Sequence, residues 1–279
     1  MSTASPGSRA GGLASELLVL PREWLGAGGE LGAFMSATLR DVLSGRVLRF
    51  FGETLRQAGV LIVGSTAVIW SLAFITGLGP CGIQGAYFSE TVGTPAAGGL
   101  FAALCNLREA VPLTFGYMMS AKIGTGIVAE LGAMRISEEI DALEVMGVSS
   151  MTFLCATRLL ASWIVLPFMY IGAIGMAYIA SYIAIVDQVG FTSSGGYLLL
   201  FWQFQNPGDF LFSVIKGMTM ATLIVLVGCY YGYNATGGPV GVGRATAKSM
   251  ALNLVLVNVI DALGTQVFWG TNPHLPVGG

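Results

Sequence analysis

The chain has 279 residues, of which 54% are hydrophobic and only 10% charged, with a net charge of −2. A soluble domain carries about 25% charged residues, so the composition excludes a water-exposed globular fold, and no basic block is present to track a nucleic-acid backbone. The 40 glycines among the apolar residues suit transmembrane helices that approach one another closely.

Residues 1–12 are rich in Ser, Gly and Ala and read as a flexible tail. The apolar run Leu17–Leu20 ends at Pro21 and is too short for a signal-peptide core, so no cleavage is expected. Residues 13–56 mix apolar residues with Arg22, Glu23, Glu30, Arg40, Asp41, Arg46, Arg49, Glu53 and Arg56. No stretch there reaches the ~20 apolar residues that cross a bilayer. The pattern predicts one or two amphipathic helices in the membrane interface; a small cytosolic cap is the alternative.

Five long apolar segments follow, near Ala58–Leu78, Val111–Ala129, Leu159–Val186, Phe210–Tyr233 and Thr246–Trp269. Backbone groups in hydrocarbon must be satisfied internally, so each is predicted to be a helix. The fold class is therefore an all-α integral membrane protein with N-terminal interfacial helices and five transmembrane spans. With the N-terminus inside, the inner side receives Arg9, Arg22, Arg40, Arg46, Arg49, Arg56, Lys122, Arg135, Arg158, Arg244 and Lys248, 11 of the 13 basic residues. The positive-inside rule favours that orientation, with the C-terminus outside. It makes 130–158 and 234–245 cytosolic, and puts 187–209 and the tail 271–279 on the outer side.

Within 130–158, the run ELGAMRISEEIDALEVMG carries Ile136, Ile140, Leu143 and Met146 at helical spacing and Glu138, Asp141 and Glu144 along one edge. Ser137 reads as an N-cap, Glu138 and Glu139 as first-turn acids, and Gly147 as the terminator. The result is a short amphipathic helix outside the membrane between spans two and three. Its pattern alone does not choose between a membrane surface and a protein partner.

Other features carry less. Asn106-Leu107-Arg108-Glu109, followed by Pro112, places charge at the outer end of the second span. Lys216 and Asp261 fall inside the fourth and fifth spans, where ionisable groups need a partner or water; they are expected to pair, with Asn258 one turn before Asp261. That pair serves either structure or the lipid path. Gly172-x-x-Gly175, Ala173-x-x-x-Ala177 and Gly228-x-x-x-Gly232 mark close helix contacts, within one subunit or between two. Cys81, Cys105, Cys155 and Cys229 form no CxxC pair, so no metal site is expected. Cys81 and Cys105 fall on the same outer side, which leaves a disulfide open.

The run GTGIVAELGAMRISEEIDALEVMG resembles the signature of the MlaE/YrbE permease family, the membrane subunits of ABC transporters that work with MCE-domain proteins. The run KGMTMATLIVLVGCYYGYNATGGPVGVGRATAKS resembles that family's Gly-rich element before its last span. The likeness extends over residues 45–270, with Thr157-Arg158 where the family usually has Pro-Arg. It implies a permease domain over 57–270 in the bacterial inner membrane. It also implies that helix 137–146 is a coupling helix docking on an ATPase, with Glu130, Arg135, Glu138, Glu139, Asp141, Glu144 and Met146 as contacts. Arg108 and Glu109, and more loosely Ile83, Gln84 and Tyr87, would lie beside a lipid pocket. The implied partners are a second permease of the family, with a heterodimer favoured by likeness to the YrbE branch, together with an ABC ATPase dimer, MCE-domain proteins and a lipid.

The chain itself is expected to bind no cofactor. Gly243-Arg-Ala-Thr-Ala-Lys248-Ser249 has Ala247 where a phosphate-binding loop requires Gly, so ATP and Mg would be used by the partner. The competing readings are an ATP-independent secondary transporter or channel, and a membrane enzyme or scaffold. The spans show no carboxylate cluster for ion coupling, and the only histidine is His274, which leaves no His-based catalytic set.

Overall fold

The computed structural model describes residue 26 and residues 28–270. The expected tails 1–12 and 271–279, and the start of the predicted interfacial region, lie outside the described residues. Eight helices account for most of the rest: α1 (28–43), α2 (Arg46–Thr91), α3 (98–136), α4 (Glu139–Val145), α5 (Thr152–Val189), α6 (Ser194–Gln203), α7 (Pro207–Tyr233) and α8 (Gly238–Trp269).

Four of them, α2, α5, α7 and α8, are long and apolar enough to cross a membrane. Helix α3 is equally continuous but carries Arg108, Glu109, Lys122 and Glu130 along its length. Half of the apolar stretch of α5 and of α7 is buried inside the chain, against 22% for α2 and 17% for α8. The first two therefore form the centre, and the last two present wide apolar faces outward.

Helices α2 and α5 lie in contact over most of their length. Trp70 Nε1 donates to Met169 O at 3.0 Å, and Ser181 Oγ donates to Gly77 O at 2.7 Å. A Cβ on Gly77 would lie 2.3 Å from Ala177 O, so only glycine permits this approach. Small residues at helix contacts act this way because lipid tails offer no hydrophobic drive for helix association. The glycines of the α7 stripe pack inside the subunit: Gly228 seats against Gly124 and Ile127, and Gly232 against Leu131.

Among the described residues, five π-helical turns interrupt or end the helices, at Gly77–Ile83, Asn106–Ala110, Met119–Gly124, Thr152–Ala156 and Ile183–Val189. The first contains Pro80, which lacks an N–H and cannot complete a regular helical ladder. Such turns recur where side chains must be re-aimed; Cys81, Arg108 and Glu109 lie in these segments.

Several boundaries differ from expectation. Residues 46–56 are not a separate interfacial helix but run unbroken into α2, where Glu53 accepts from Arg56 at 2.7 and 2.8 Å and from Gln57 at 2.8 Å. These bonds one turn apart support helix. Helix α2 also passes the predicted end at Leu78 and reaches Thr91. The Gly-rich run expected as a loop over 234–245 is mostly the first turns of α8. Only Gly237 and Gly238 take left-handed φ, at 87° and 67°, after which Pro239 starts the helix with its fixed φ. The interhelical segment predicted over 130–158 is likewise short, since α3 persists to 136 and α5 begins at Thr152. Helix α6 was not anticipated. Ser193 caps it by accepting from Gly196 N at 3.2 Å, and Tyr197 and Phe201 pack it against Ala102 and Ala103.

Helix α1 rests on the end of the bundle that carries α4. Phe34 meets the rings of Tyr230 and Tyr233 at centroid distances of 5.5 and 6.0 Å. Asp41 accepts from Arg46 at 3.0 Å and from Thr152 Oγ1 at 2.6 Å.

Candidate functional site

At the end of the bundle away from α4, the side chains of α3, α7 and α8 form one charged network. Lys216 is 1% exposed. Its ammonium pairs with Asp261 at 2.8 Å and donates to Thr265 Oγ1 at 2.7 Å and to Arg108 O at 2.8 Å; Glu109 lies at 3.5 Å. Thr265 donates onward to Glu109 at 2.6 Å. Arg108 pairs with Asp209 at 2.6 Å, and Trp269 Nε1 donates to the other oxygen of Asp209 at 2.9 Å. The Trp269 ring also has the Arg108 guanidinium 5.3 Å and the Lys216 ammonium 5.8 Å from its centroid, within the range of cation–π attraction.

A buried charge is tolerated when it is both paired and hydrogen-bonded. Lys216 meets that condition through groups on α3 and α8. The Lys216–Asp261 pair expected from sequence is present, and it is continuous with Arg108 and Glu109. Asn258 is not part of it; its Oδ1 accepts from Tyr117 at 2.9 Å.

Above this network lies a cavity of about 580 Å³, reached by Arg108 and Glu109 and walled by Phe88, Val92, Leu100, Phe101 and Leu104. Cys105 also lines it and is disulfide-bonded to Cys81, which joins the π-helical turn of α2 to the start of α3. Of the pocket residues expected on α2, Ile83, Gln84 and Tyr87 do not line the cavity. Tyr87 is 55% exposed and packs edge-on against Phe191. The wall on α2 is formed instead by Phe88 and Val92, on the turns that follow.

The second predicted site is α4. Ile140 is fully buried and Leu143 packs against the core, which anchors the helix to the bundle. Val145 and Met146 are 88% and 68% exposed. Glu138, Glu139, Asp141 and Glu144 are exposed as well. Arg135 pairs with Asp141 at 2.6 Å, and Glu144 accepts from Ser150 at 2.6 Å and Tyr233 at 3.2 Å. Ser137 is not the N-cap. Its hydroxyl donates to Ala133 O, closing α3, while Glu138 takes the cap position with a left-handed φ of 59°. With only Ser137 and Glu138 between the two helices, the chain reverses through the left-handed conformation of Glu138. Gly147 terminates the segment at φ 76°, as its sequence position suggested. Glu130 is not on α4; it lies near the end of α3 and pairs with the buried Arg158 at 2.8 Å.

Residues 54–267 match the family model described as Permease MlaE. The chain belongs to the MlaE permease family.

Among relatives of this MlaE-family chain, a probable ABC transporter permease of Rickettsia bellii is 30% identical over 162 residues, 58% of this chain. The chain spans 62% of that relative's length. A probable ABC transporter permease of Synechocystis is 26% identical over 244 residues, covering 82% of this chain and 86% of the relative. The intermembrane phospholipid transport system permease protein MlaE of Haemophilus influenzae is 24% identical over 225 residues, covering 81% and 86%.

Three residues of the MlaE-family network escaped sequence reasoning. Asp209 reads as an ordinary first-turn acid after Asn206-Pro207, and Trp269 as an interfacial anchor. Thr265 stands one turn beyond Asp261, and that spacing was the one available signal.

Proposed function

We propose that this chain is the permease subunit of an ABC transporter that moves a phospholipid or fatty-acid-like lipid across the cell envelope. The observation that carries the reading is the apolar cavity of about 580 Å³ closed at one end by the Arg108–Asp209 and Glu109–Lys216–Asp261 network in a chain of the MlaE family. The name of the Haemophilus relative supports phospholipid as cargo. Exposing one CH₂ to water costs about 0.8 kcal/mol, so two chains of about 16 carbons cost on the order of 25 kcal/mol. A carrier must shelter them throughout, and an apolar chamber does so.

A volume of about 580 Å³ is that of a small-ligand pocket, within the ~300–1,000 Å³ range. A second permease facing the outward apolar sides of α2 and α8 would enlarge it. We assign α3 as the fifth span, its charges gathered at the cavity floor and at the α4 end. The N-terminus and α4 then lie in the cytosol and the cavity opens on the outer side of the bacterial inner membrane. Helix α4, with an anchored inner face and exposed Val145, Met146 and acids, docks on an ABC ATPase that binds ATP and Mg. MCE-domain proteins receive or deliver the lipid at the cavity.

The test is purification in mild detergent with identification of co-purifying chains. An ABC ATPase that comes with the wild type and is lost on Glu139→Arg is the expected result. A chain that moves lipid in liposomes with no ATPase present would replace this reading with an ATP-independent transporter.

A further inference from the structure

A second cleft, of about 240 Å³, opens at the α4 end of the bundle between α2, α3, α5 and α7. Its wall is apolar: Val60, Leu61, Ile123 and Ile127. Lys122, Glu130 and Arg158 are its charged lining. Packing does not fill it. At Gly64 and Gly126, both in the lining, an added Cβ would meet nothing within 4 Å.

Its charges do not balance. Arg158 is 4% exposed; one Nη donates to Leu154 O at 2.7 Å and the other pairs with Glu130 at 2.8 Å, while its Nε is buried without a partner. Lys122 is exposed and makes no ion pair among the described residues. Glu53, nearby on α2, is already held by Arg56 and Gln57. Arg56, Lys122 and Arg158 against Glu53 and Glu130 leave one positive charge over. The unpartnered buried donor is unfavourable unless an acceptor joins it, and the exposed Lys122 adds an unmatched positive charge beside it.

We propose that this cleft binds the anionic head group, phosphate or carboxylate, of a lipid in the leaflet on the α4 side. Lys122 and Arg158 hold the oxygens, and the first carbons of a chain lie along Val60, Leu61 and Ile127. The proposal rests on the topology and permease role given above. A volume of about 240 Å³ falls below the ~300–1,000 Å³ of pockets that enclose a whole ligand. The head group is therefore gripped while the remaining chain stays in the bilayer. That is the geometry of a docking point at the membrane, distinct from the sheltering outer cavity. The apolar wall favours a lipid over free phosphate. The half-exposed Glu130 is the group an incoming anion competes with for Arg158.

Photo-crosslinking tests this on the full chain in phosphatidylcholine vesicles containing radiolabelled phosphatidylglycerol. p-Benzoylphenylalanine is placed at Val60 in the cleft, or at Leu104 in the outer cavity. Label is captured at both positions. Lys122→Met lowers capture at Val60 roughly tenfold, the loss of one charge-assisted contact, and leaves Leu104 unchanged; Lys122→Arg restores it. Capture at Val60 that ignores Lys122→Met overturns the proposal, because it then reports bulk lipid contact. So does crosslinking of Val60 to another protein chain, which makes the cleft a subunit interface, and so does suppression by inorganic phosphate, which makes the ligand a free anion. Loss of capture at Leu104 alone would overturn the outer-cavity reading and leave this one standing.

Discussion

Lys216 shows most directly how one residue constrains the rest. Its ammonium has partners on two other helices, so Lys216→Met would leave Asp261 and Glu109 facing each other at low dielectric. Breaking a buried pair from one side typically costs about 3–5 kcal/mol. The expected outcome is loss of monodisperse protein and a lower unfolding temperature in detergent. Lys216→Met combined with Asp261→Leu should recover part of that stability, because it removes both desolvated charges; a double variant no more stable than the single one would assign the damage to packing. Trp269→Phe keeps an aromatic group but replaces the indole with a smaller ring and removes the bond to Asp209. It should lower stability by about 1.5–3 kcal/mol, the contribution of one hydrogen bond to a charged group, measurable in the same melts. Lys216 and Asp261 were legible in the sequence as a pair because charge stands out in an apolar span. Asp209 and Trp269 were not, because both residue types are ordinary at helix ends. Only tertiary geometry shows that Arg108 brings them into the same network.

Helices are where sequence and structure agree best and where the boundaries drift. The apolar runs of α5 and α7 were readable from composition. What the runs hid is that a helix continues wherever nothing stops it. Arg49, Glu53 and Arg56 look like an interfacial break, yet bonds along one face carry α2 through them. Pro80 looks like a stop, yet a π-helical turn absorbs it and α2 reaches Thr91. Tyr87 was expected beside the pocket from family resemblance alone, and Phe88 is found there. Helix contacts give the sharpest prediction at this scale. Gly77→Ala would set a methyl 2.3 Å from Ala177 O, and either α2 or α5 must shift. Overpacking of this kind costs about 1–3 kcal/mol, and a thermal melt of the purified chain reads it. An unchanged melting temperature would mean the two helices separate more easily than their contact suggests. For α4, Met146→Glu should weaken ATPase capture without altering the melt, since Met146 is 68% exposed.

Across the described residues, charge gathers at two places, the floor of the cavity beside Arg108 and Glu109 and the α4 end, with apolar helix between. The covalent tie between α2 and α3 sits at the rim of the cavity, where Cys105 lines it. Cys81→Ala with Cys105→Ala should lower stability by about 2–4 kcal/mol, and reductant should reproduce the effect on the wild type and leave the variant unmoved. Leu104→Trp, filling the chamber, should reduce the lipid retained through purification, measured by extraction and mass spectrometry; undiminished lipid would place the cargo elsewhere.

The Lys216 network also has an order along the chain. A ribosome delivers Glu109 first, Lys216 107 residues later, and Asp261 last. When α7 enters the bilayer, its permanent counter-ion has not yet been made. Glu109 already has, on a helix that α7 packs against in the finished fold. In the folded chain Asp261 holds Lys216 at 2.8 Å, while Glu109 stands at 3.5 Å and accepts from Thr265, so the residue made last is the nearer counter-ion.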